Sequence, residues 1–474
     1  MLSWIFKKKK KLALPRDLMK RVDADAIEIL GQLQRAGFES YLVGGCVRDI
    51  LIGKIPKDFD MATRATPQQV KAIVKRSFII GKRFRIVVAK RNVSRSEAQH
   101  LLKNDFPTVN KRPPEKEFQI TTFRRAPVVV LGAVNENVFG NPEEDAYRRD
   151  FTVNGLFLDP FSAKIVDFVG GLADLEKKTL RIIGDPKIRF EEDPIRILRA
   201  LRFVARTELQ LEAATEKALI ACIPTLKTAK KERLREEILK ALKEGSAPKF
   251  FDLMSEYKIW ALLSPHFHEA VWSVERHRRL LLKLSEASSK QPWQDSLQAG
   301  PLFFVLLAPL LFENMHAHIK ETRGSMKILQ EDFKLSKKEI EDLERIVGFL
   351  KKVDKDLSHG GSSAKDHRLF FDNPRFLNLQ SQCFYVLKIC ADAGLDSAKK
   401  AWKELEDPWR EHVQSVALRA VRQARRPSHG GHHGGGHGRR RGSGGGSRGA
   451  SASAAGPASS SGRSGSGSSD GPDT

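Results

Sequence analysis

The sequence predicts an α+β protein in which a mixed sheet with helices is followed by an all-helical region and a polar tail. Three patterns support this prediction. Up to about residue 160, short alternating apolar segments stand between helical ones. From about 190 to 424 the apolar spacing is almost entirely helical. After Arg426 the chain consists mainly of Gly, Ser, His and Arg, a composition that cannot bury enough surface to fold.

The first expected elements are a helix, a strand and a short second helix. The first helix should begin after Asp23, which can cap it, and end at Gly37. The segment "SYLV" is typical of a short strand. The chain should then turn at Gly44 and Gly45 into a short helix that ends near Gly53.

Further strands and one more helix complete the mixed region. A second strand is expected from Asp58 to Met61, and "TPQQVKAIV" predicts a helix opened by Thr66 with Pro67 at its first position. The segments "RIVVAKR" and "FQITTFRR" alternate as paired strands do. The polar, proline-containing segment 92–117 between them would form an enlarged hairpin connection.

The later part of the chain is predicted to be helical. "KERLREEILKALKEG" places Leu234, Ile238 and Leu242 on one stripe and ends at Gly245. The longest apolar run, "PLFFVLLAPLLF" at 301–312, is too short to span a bilayer. We therefore expect a buried helix there and no membrane span.

The charge balance points to a polyanionic partner. The chain has 82 Lys and Arg against 58 Asp and Glu, a formal net charge of +24 and a pI near 9.9. Nucleic acid is the first candidate and anionic lipid the second.

Cysteine usage and the N-terminal segment suggest a cytoplasmic protein. Cys46, Cys222, Cys383 and Cys390 lie far apart and form no CxxC pair, so neither a zinc site nor a disulfide framework is indicated. "MLSWIFKKKKK" has its basic residues after the apolar ones, the reverse of a secretory signal.

Two carboxylates, Asp58 and Asp60, flank one phenylalanine in this basic chain. On a strand they would point to the same face. Two carboxylates at that separation repel each other unless a cation lies between them, and they suit Mg²⁺, which prefers oxygen ligands. The alternative is a solvated acidic pair at the end of a strand.

The turn just upstream has features of a phosphate-binding loop. Gly44 and Gly45 follow a predicted strand and precede a helix, where glycine allows close approach of the backbone and the helix start favours anions. Arg48 lies close enough to reach the same phosphates. Taken alone, the two glycines are also compatible with a simple tight turn.

These residues belong to a longer pattern. "LVGGCVRDILIGKIPKDFD" resembles the head motif of class II nucleotidyltransferases, the bacterial poly(A) polymerases and CCA-adding tRNA nucleotidyltransferases. Further blocks follow in the family's order: "EEDAYRRDFTVNGLFLD", "IVDFVGGLADL" and "LRIIGDPKIRFEEDPIRILRALRF". Together they cover roughly residues 20–260.

The resemblance implies a nucleotidyltransferase palm with a mixed sheet, followed by a helical neck and body. The implied divisions are a basic N-terminal arm (1–22), a palm or head (23–160), a neck with nucleotide- and RNA-binding helices (161–225), a helical body (226–424) and a disordered tail (425–474).

The resemblance also implies roles for the motif residues. Asp58 and Asp60 would hold catalytic Mg²⁺, and Gly44, Gly45 and Arg48 would cradle the triphosphate of ATP.

The "RRDFT" block adds Arg149 and Asp150, the latter an acid that the family places near its active site, and Asn154 would help to hold the sugar. An ion pair with Arg149 or a helix cap is the alternative interpretation of Asp150.

In "EEDPIRILR", Asp193 can cap a helix whose first residue is Pro194. Asp193, Arg196 and Arg199 follow one another at spacings of three, so they should share a helix face. An adjacent acid and arginine can recognise the pairing edge of adenine or cytosine, and the motif does not separate ATP from CTP. A capped helix with a salt bridge is the alternative.

One position departs from the family pattern. A glutamate usually precedes the "TTF"-like residues, whereas this chain has Gln119 there. Glu117 lies two residues earlier on the same predicted strand face and would substitute for it after a register shift. Otherwise the two aspartates suffice.

The resemblance predicts template-independent addition of AMP from ATP to RNA 3′ ends by a monomer. CCA addition to tRNA is the alternative, and a catalytically weakened RNA-binding protein is a third hypothesis. "IIGKRFRIVV" at 79–88 resembles the poly(A) polymerase form of this segment, with basic Lys82, Arg83 and Arg85, whereas CCA-adding relatives usually have a Gly-x-x-His-Gly pattern.

Overall fold

The structure is a computed structural model. It describes residues 10–81, 85–92, 115–125, 128–130, 133–135, 139–290, 299–313, 326–327, 330–358, 377–396 and 398–407. The chain divides into two units, Met1–Arg426 and Pro427–Thr474, and every described residue belongs to the first. The predicted disordered tail, Lys82 and Arg83, and nearly all of the 92–117 connection lie outside the described residues.

An eight-stranded mixed sheet forms the N-terminal part of the protein, as predicted. Its strand order is β1-β10-β9-β2-β3-β6-β5-β4, in which β3 and β6 are parallel and all other neighbours are antiparallel. The strands are β1 (Lys10–Ala13), β2 (Ser40–Val43), β3 (Met61–Thr63), β4 (Ser77–Ile80), β5 (Ile86–Asn92), β6 (Glu115–Thr122), β9 (Leu156–Asp159) and β10 (Lys164–Asp167). Two small two-stranded sheets pair β7 (Val128–Val130) with β8 (Ala133–Asn135), and β11 (Thr179–Leu180) with β12 (Gln210–Leu211).

Two helices of the N-terminal part begin at the capping residues that the sequence predicts. Asp23 accepts the backbone N–H groups of Asp25 and Ala26 at the start of the second helix, and Thr66 forms a capping box with Gln69. The helices are α1 (Arg16–Met19), α2 (Ala24–Arg35), α3 (Gly45–Leu51), α4 (Pro67–Ile73), α5 (Pro142–Arg148) and α6 (Gly171–Glu176), with a 3₁₀ turn at Thr152–Asn154.

The predicted position of the second strand, Asp58 to Met61, was wrong, because β3 begins at Met61 and runs to Thr63. The neighbouring strand β2 ends at Val43, whose N–H donates to the Asp60 carbonyl, and the chain then turns away into α3. The next amide, that of Gly44, donates to Leu156 instead. Asp60 therefore keeps one backbone hydrogen bond to the end of β2, and both aspartates lie in the segment just before the strand.

The described residues from Pro186 onward are mainly helical, and they contribute to one large apolar core whose members extend from Phe151 to Leu405. The helix predicted around Leu234 ends at Gly245 with φ 75°, and the apolar run at 301–312 is a buried helix, as expected. The helices are α7 (Pro186–Glu192), α8 (Ile195–Thr207), α9 (Ala213–Cys222), α10 (Lys231–Glu244), α11 (Ala247–Glu256), α12 (Ile259–Leu263), α13 (Pro265–Phe267), α14 (Glu275–Ser289), α15 (Ala299–Glu313), α16 (Lys337–Ser358) and α17 (Leu377–Asp392), with a 3₁₀ turn at Ile223–Thr228 and a π turn at His268–Trp272. Within the described ranges, no helix is long and apolar enough to cross a membrane.

Candidate active site

One cavity of about 580 Å³ lies where the sheet meets α8 and α10. The eleven residues to which the sequence analysis gave catalytic or nucleotide-binding roles all line it, although they come from segments up to 155 positions apart. They are Gly44, Gly45, Arg48, Asp58, Asp60, Arg149, Asp150, Asn154, Asp193, Arg196 and Arg199.

Asp58 and Asp60 lie on the same side of their segment. Phe59 between them is 7% exposed and packs into the core, whereas both aspartates are exposed at the cavity. Desolvation by the surrounding protein raises the pKa of Asp60, and the nearby Asp58 charge raises it further, against the opposing attraction of Arg149. Two neighbouring carboxylates supply the oxygen ligands that a hard divalent cation prefers, and the cation would neutralise their repulsion.

Asp58 and Asp60 are the two carboxylates that the described residues offer to a metal ion at this place. The described residues contain no group of three or more His, Cys, Asp or Glu side chains arranged around a metal position. Mg²⁺ commonly binds through one or two carboxylates together with water and the phosphates of its substrate. The Asp58–Asp60 pair therefore fits Mg²⁺ bound with a nucleotide, and not a metal enclosed by protein ligands.

Gly44 and Gly45 form the turn between β2 and α3 at the edge of the cavity. Gly44 has φ 75° and ψ −129°, a conformation that L side chains rarely adopt, and an added Cβ would lie 2.9 Å from Nη1 of Arg149. Gly45 begins α3 beside the cavity. Glycine is thus required at position 44 by the backbone as well as by the narrow space next to Arg149.

Arg48 is held firmly in the cavity wall. Its side chain is 1% exposed, and its guanidinium donates to Asp49 at 2.7 and 3.0 Å and to Asn154 at 2.5 Å. Burial lowers the pKa of Arg48, while Asp49 opposes that shift. The guanidinium already has protein partners, so it contributes positive charge to the wall from a fixed position.

Asp150 forms its ion pair with Arg199. The alternative interpretation, an ion pair with the adjacent Arg149, was wrong. One carboxylate oxygen accepts from Arg199 Nε at 2.9 Å and Nη2 at 2.5 Å, and the other accepts from Asn154 and the Phe151 amide. Burial disfavours the charged form, but the attraction of Arg199 and these hydrogen bonds outweigh it and lower the pKa of Asp150 to about 2. Asp150 therefore stays ionised and orients Arg199 and Asn154.

Arg149 occupies the other side of the same segment. Its Nε and Nη2 donate to Asp145 at 3.2 and 2.9 Å, and its guanidinium lies 5.3 Å from the ring centroid of Phe157. It is also the cation that attracts Asp60. Arg149 is thus fixed next to the carboxylate pair, in position to attract an anionic group bound there.

The predicted Asp193–Arg196–Arg199 group shares the cavity, but each member has a different partner. Asp193 accepts from both Nη atoms of Arg233 at 2.8 Å, and it also accepts the Ile195 N–H at 3.3 Å near the start of α8. Arg196 donates to Glu192 and to the Arg189 carbonyl. Asp193 and Arg196, which were expected to recognise a base, thus lie in one wall of the cavity. Arg233 from α10 also lines that wall and pairs with Asp193.

A closed network of charges, which we call the ion-pair ring, joins the sheet region to α8 and α10. Neighbouring members are linked by N···O distances of 2.5 to 3.6 Å. In order around the ring they are Arg48, Asp49, Arg206, Glu244, Arg202, Glu237, Arg199, Asp150 and Asn154.

Phe203 lies within the ion-pair ring. The guanidinium carbons of Arg48, Arg199 and Arg202 are 4.7 to 5.8 Å from its ring centroid. The ring balances four arginines with four carboxylates, so each buried charge has an opposite neighbour, as burial of ions requires. This arrangement fixes the arginine wall of the cavity relative to the sheet.

Sequence reasoning missed most of this ring, although a signal was present. Arg199, Arg202 and Arg206 recur at helical spacing, and so do Glu237 and Glu244. Two facing helices with complementary charged stripes indicate an inter-helix network. The spacing alone does not say which helix faces which.

Gln119 lies on the strand next to the carboxylate pair. Met61 and Ile120 are partners in the parallel pairing of β3 with β6. Asp60 and Gln119 each come one residue earlier, so they are neighbours on the sheet face opposite to that of Met61 and Ile120. Glu117 lies two residues further away, and its carboxylate is 2.9 Å from Lys90 Nζ. The geometry therefore favours Gln119, and not Glu117, as the position where a third carboxylate would reach the site.

The nucleotide addition that the sequence predicts should rise by up to about tenfold in Gln119→Glu, equivalent to ~1.4 kcal/mol, because the substitution adds an oxygen ligand beside Asp60. The increase should be largest when Mg²⁺ is limiting. Initial rates over a Mg²⁺ titration check this, with Glu117→Ala as the control that should retain the original rate. A large loss in Glu117→Ala with no gain in Gln119→Glu would instead assign the role to Glu117.

Comparison with known proteins identifies the relatives of this chain. The family described as "Poly A polymerase head domain" matches residues 40–181, and "Probable RNA and SrmB- binding site of polymerase A" matches residues 208–271. Poly(A) polymerase I of Haemophilus influenzae is 35% identical over 296 residues, which is 61% of each chain. The Salmonella typhi protein of that name is 36% identical over 246 residues, 52% of this chain and 51% of its own length.

CCA-adding enzymes are similar to the same region. One from Streptococcus suis is 33% identical over 303 residues, which covers 64% of this chain and 67% of that protein. The fold resembles the crystal structure of the Bacillus stearothermophilus CCA-adding enzyme in complex with CTP, with a TM-score of 0.51, 23% identity and coverage of 85% and 83% of the two chains. The matches to the two poly(A) polymerases span about half to three fifths of those proteins' lengths. The chain therefore belongs to the nucleotidyltransferase family that contains the poly(A) polymerases and the CCA-adding enzymes.

Proposed function

We propose that this protein adds AMP from ATP to RNA 3′ ends without a template and releases pyrophosphate. The observation that carries the proposal is the placement of Asp58 and Asp60 in one cavity with an arginine-rich wall. In the reaction, the 3′-hydroxyl oxygen of RNA bonds to the α-phosphorus of ATP, and the bond from that phosphorus to the oxygen bridging it to the β-phosphorus breaks. Pyrophosphate leaves with the bridging oxygen, and the hydroxyl proton passes to solvent water. The cavity would hold these groups in line, which is the main requirement of phosphoryl transfer.

The residues around the cavity divide this work. Arg149, held next to Asp60, would attract the triphosphate, and Arg48 adds fixed positive charge behind it. Asn154, whose amide donates to Asp150 at 2.9 Å, would help to hold the sugar. Asp193 and Arg196 line the same cavity and would recognise the base.

Asp58 and Asp60 would hold Mg²⁺ together with the nucleotide. Bound there, the ion would supply charge neutralisation for the phosphates and lower the pKa of an attacking hydroxyl. The protein's own contribution is to keep both carboxylates on one side of the segment, which burial of Phe59 achieves.

Poly(A) addition is favoured over CCA addition by one observation, the basic pattern at 79–88 that stands in place of Gly-x-x-His-Gly. Sequence identity does not separate the two activities, since the two poly(A) polymerase I relatives are 35% and 36% identical to this chain and a CCA-adding enzyme of Streptococcus pyogenes is 36% identical over 235 residues. CCA addition is the second candidate, because the Streptococcus suis relative is 33% identical over 303 residues. We further propose action as a monomer in the cytoplasm, where the free, buried cysteines would stay reduced.

A nucleotide-selection assay separates these activities. With a labelled, unstructured RNA, ATP alone should be incorporated as a tail of many adenylates, and CTP alone should add few or none. A tRNA transcript that lacks its CCA end serves as the second substrate. A CCA end built on that tRNA without long tails on other RNA would establish the CCA-adding activity instead. RNA binding with no addition of any nucleotide would favour the weakened RNA-binding protein.

A further inference from the structure

An exposed apolar surface lies on the sheet, on the same face as the carboxylate pair. Phe78 and Ile80 of the edge strand β4 are 55% and 50% exposed, whereas Ile79 between them packs into the core on the opposite face. Ile80 pairs directly with the half-buried Ile86 of β5. We call Phe78, Ile80 and Ile86 the apolar platform.

The strand register connects this platform to the candidate active site. Phe78 is the cross-strand partner of Val88, and Val88 is the partner of Gln119. Gln119 in turn neighbours Asp60 through the Met61–Ile120 pairing of β3 with β6. Cross-strand partners share a face, so one row of side chains runs from Phe78 to Asp60.

The length of this row suits the end of a single strand of RNA. Three strand spacings of about 4.8 Å separate β4 from β3, so the platform begins roughly 14 Å from the carboxylates. Stacked nucleotides advance about 3.4 Å each along a strand, and the distance corresponds to the last few nucleotides of a primer. Exposed Arg85 directly precedes Ile86 and would provide positive charge for the RNA backbone.

We propose that the apolar platform stacks the bases near the 3′ end of the RNA primer and directs that end toward Asp58 and Asp60. This inference rests on the proposed function and adds a binding subsite to it. Stacking on an aromatic face is tolerant of base identity, because every base has a π-face. Such a subsite accepts a tail while it grows and needs no template.

The test is RNA binding by the full chain, measured by fluorescence anisotropy at fixed salt without added nucleotide. The probes are a 5′-labelled twelve-residue adenylate RNA and the same RNA with its last four nucleotides abasic. We expect Phe78→Ala to weaken binding of the intact RNA roughly 5- to 100-fold, since base–aromatic stacking has about that effect. Binding of the abasic RNA should not change, and Phe78→Trp should retain the affinity for both.

Phe161→Ala is the matched control, since Phe161 is also a surface phenylalanine, 51% exposed, in the turn between β9 and β10. It should bind both RNAs as the unmodified protein does. The proposal is overturned if Phe78→Ala binds the intact RNA normally or loses affinity equally for both RNAs. It is also overturned if Phe78→Ala changes only self-association in sedimentation, which would make the platform a protein contact. These binding results stand whether or not nucleotide is added, so failure of the proposed activity is detected separately.

Discussion

Replacing Asp58 and Asp60 together with Asn should lower nucleotide addition by about a thousandfold or more. A metal ion contributes several kcal/mol of transition-state stabilisation, and each ~1.4 kcal/mol is a factor of ten in rate. The substitution keeps the shape of both side chains and removes two like charges whose repulsion contributes to the raised pKa of Asp60. We therefore expect no fall in melting temperature. Single-turnover extension of a labelled RNA at saturating ATP measures the loss.

The same variant should bind RNA almost as well as the unmodified protein, because basic side chains supply most of the affinity for phosphates. The matched control is Asp17→Asn with Asp396→Asn, two exposed carboxylates that form only surface ion pairs with Lys20 and Lys399. It removes the same charge and should keep the full rate. Undiminished addition by the Asp58/Asp60 variant would contradict the metal-site interpretation, and a comparable loss in the control would attribute the effect to net charge.

Asp150→Asn should destabilise the protein by roughly 2–3 kcal/mol and lower the rate about a hundredfold. The stability loss follows from the lowered pKa of Asp150, about 2 in the folded protein, against about 3.9 for a free aspartate. The rate loss follows because Arg199 and Asn154 lose the carboxylate that orients them, and small displacements of positioning groups are costly. Urea unfolding at pH 7 and steady-state kinetics measure the two effects.

The pH dependence of this stability difference has a definite sign. A carboxyl whose pKa is lowered on folding stabilises the protein above its unfolded pKa, and that contribution is lost as the pH falls toward the folded value. The gap between Asp150→Asn and the unmodified protein should therefore be full at pH 7 and narrow below about pH 4. Asp252→Asn is the control. Partial desolvation raises the pKa of this carboxyl, so removing its charge should lower the free energy of unfolding little. A gap that widens as the pH falls toward 2 would contradict the assigned ion pair with Arg199.

The ion-pair ring explains why such substitutions should affect more than one contact. Arg199 bridges Asp150 and Glu237, and Arg202 bridges Glu237 and Glu244. Removing one member leaves each of its two neighbours with one ring partner in place of two, and a loss of compensation for a buried charge is costly. The position of the arginine wall therefore depends on how α8 packs against α10.

Much of the fold and of the candidate site follows from local sequence patterns. The helix caps at Asp23 and Thr66 and the terminating Gly245 depend on residues within one turn, so they are readable from the chain itself. The same is true of the alternation that buries Phe59 and exposes its two acidic neighbours. Resemblance in ordered motif blocks predicted that eleven residues belong to one site, and one cavity contains them all.

Only the tertiary structure decided where β3 begins and which charges pair. The strand starts at Met61 because its neighbour leaves the sheet at Gly44, a fact about a segment 17 residues away. Asp150 pairs with Arg199, 49 positions along the chain, and not with the adjacent Arg149. Arg206 pairs with Asp49, which is 157 positions away. These choices depend on how α8 and α10 dock against the sheet. Local spacing determines which face a side chain occupies, but only packing between elements determines what that face meets.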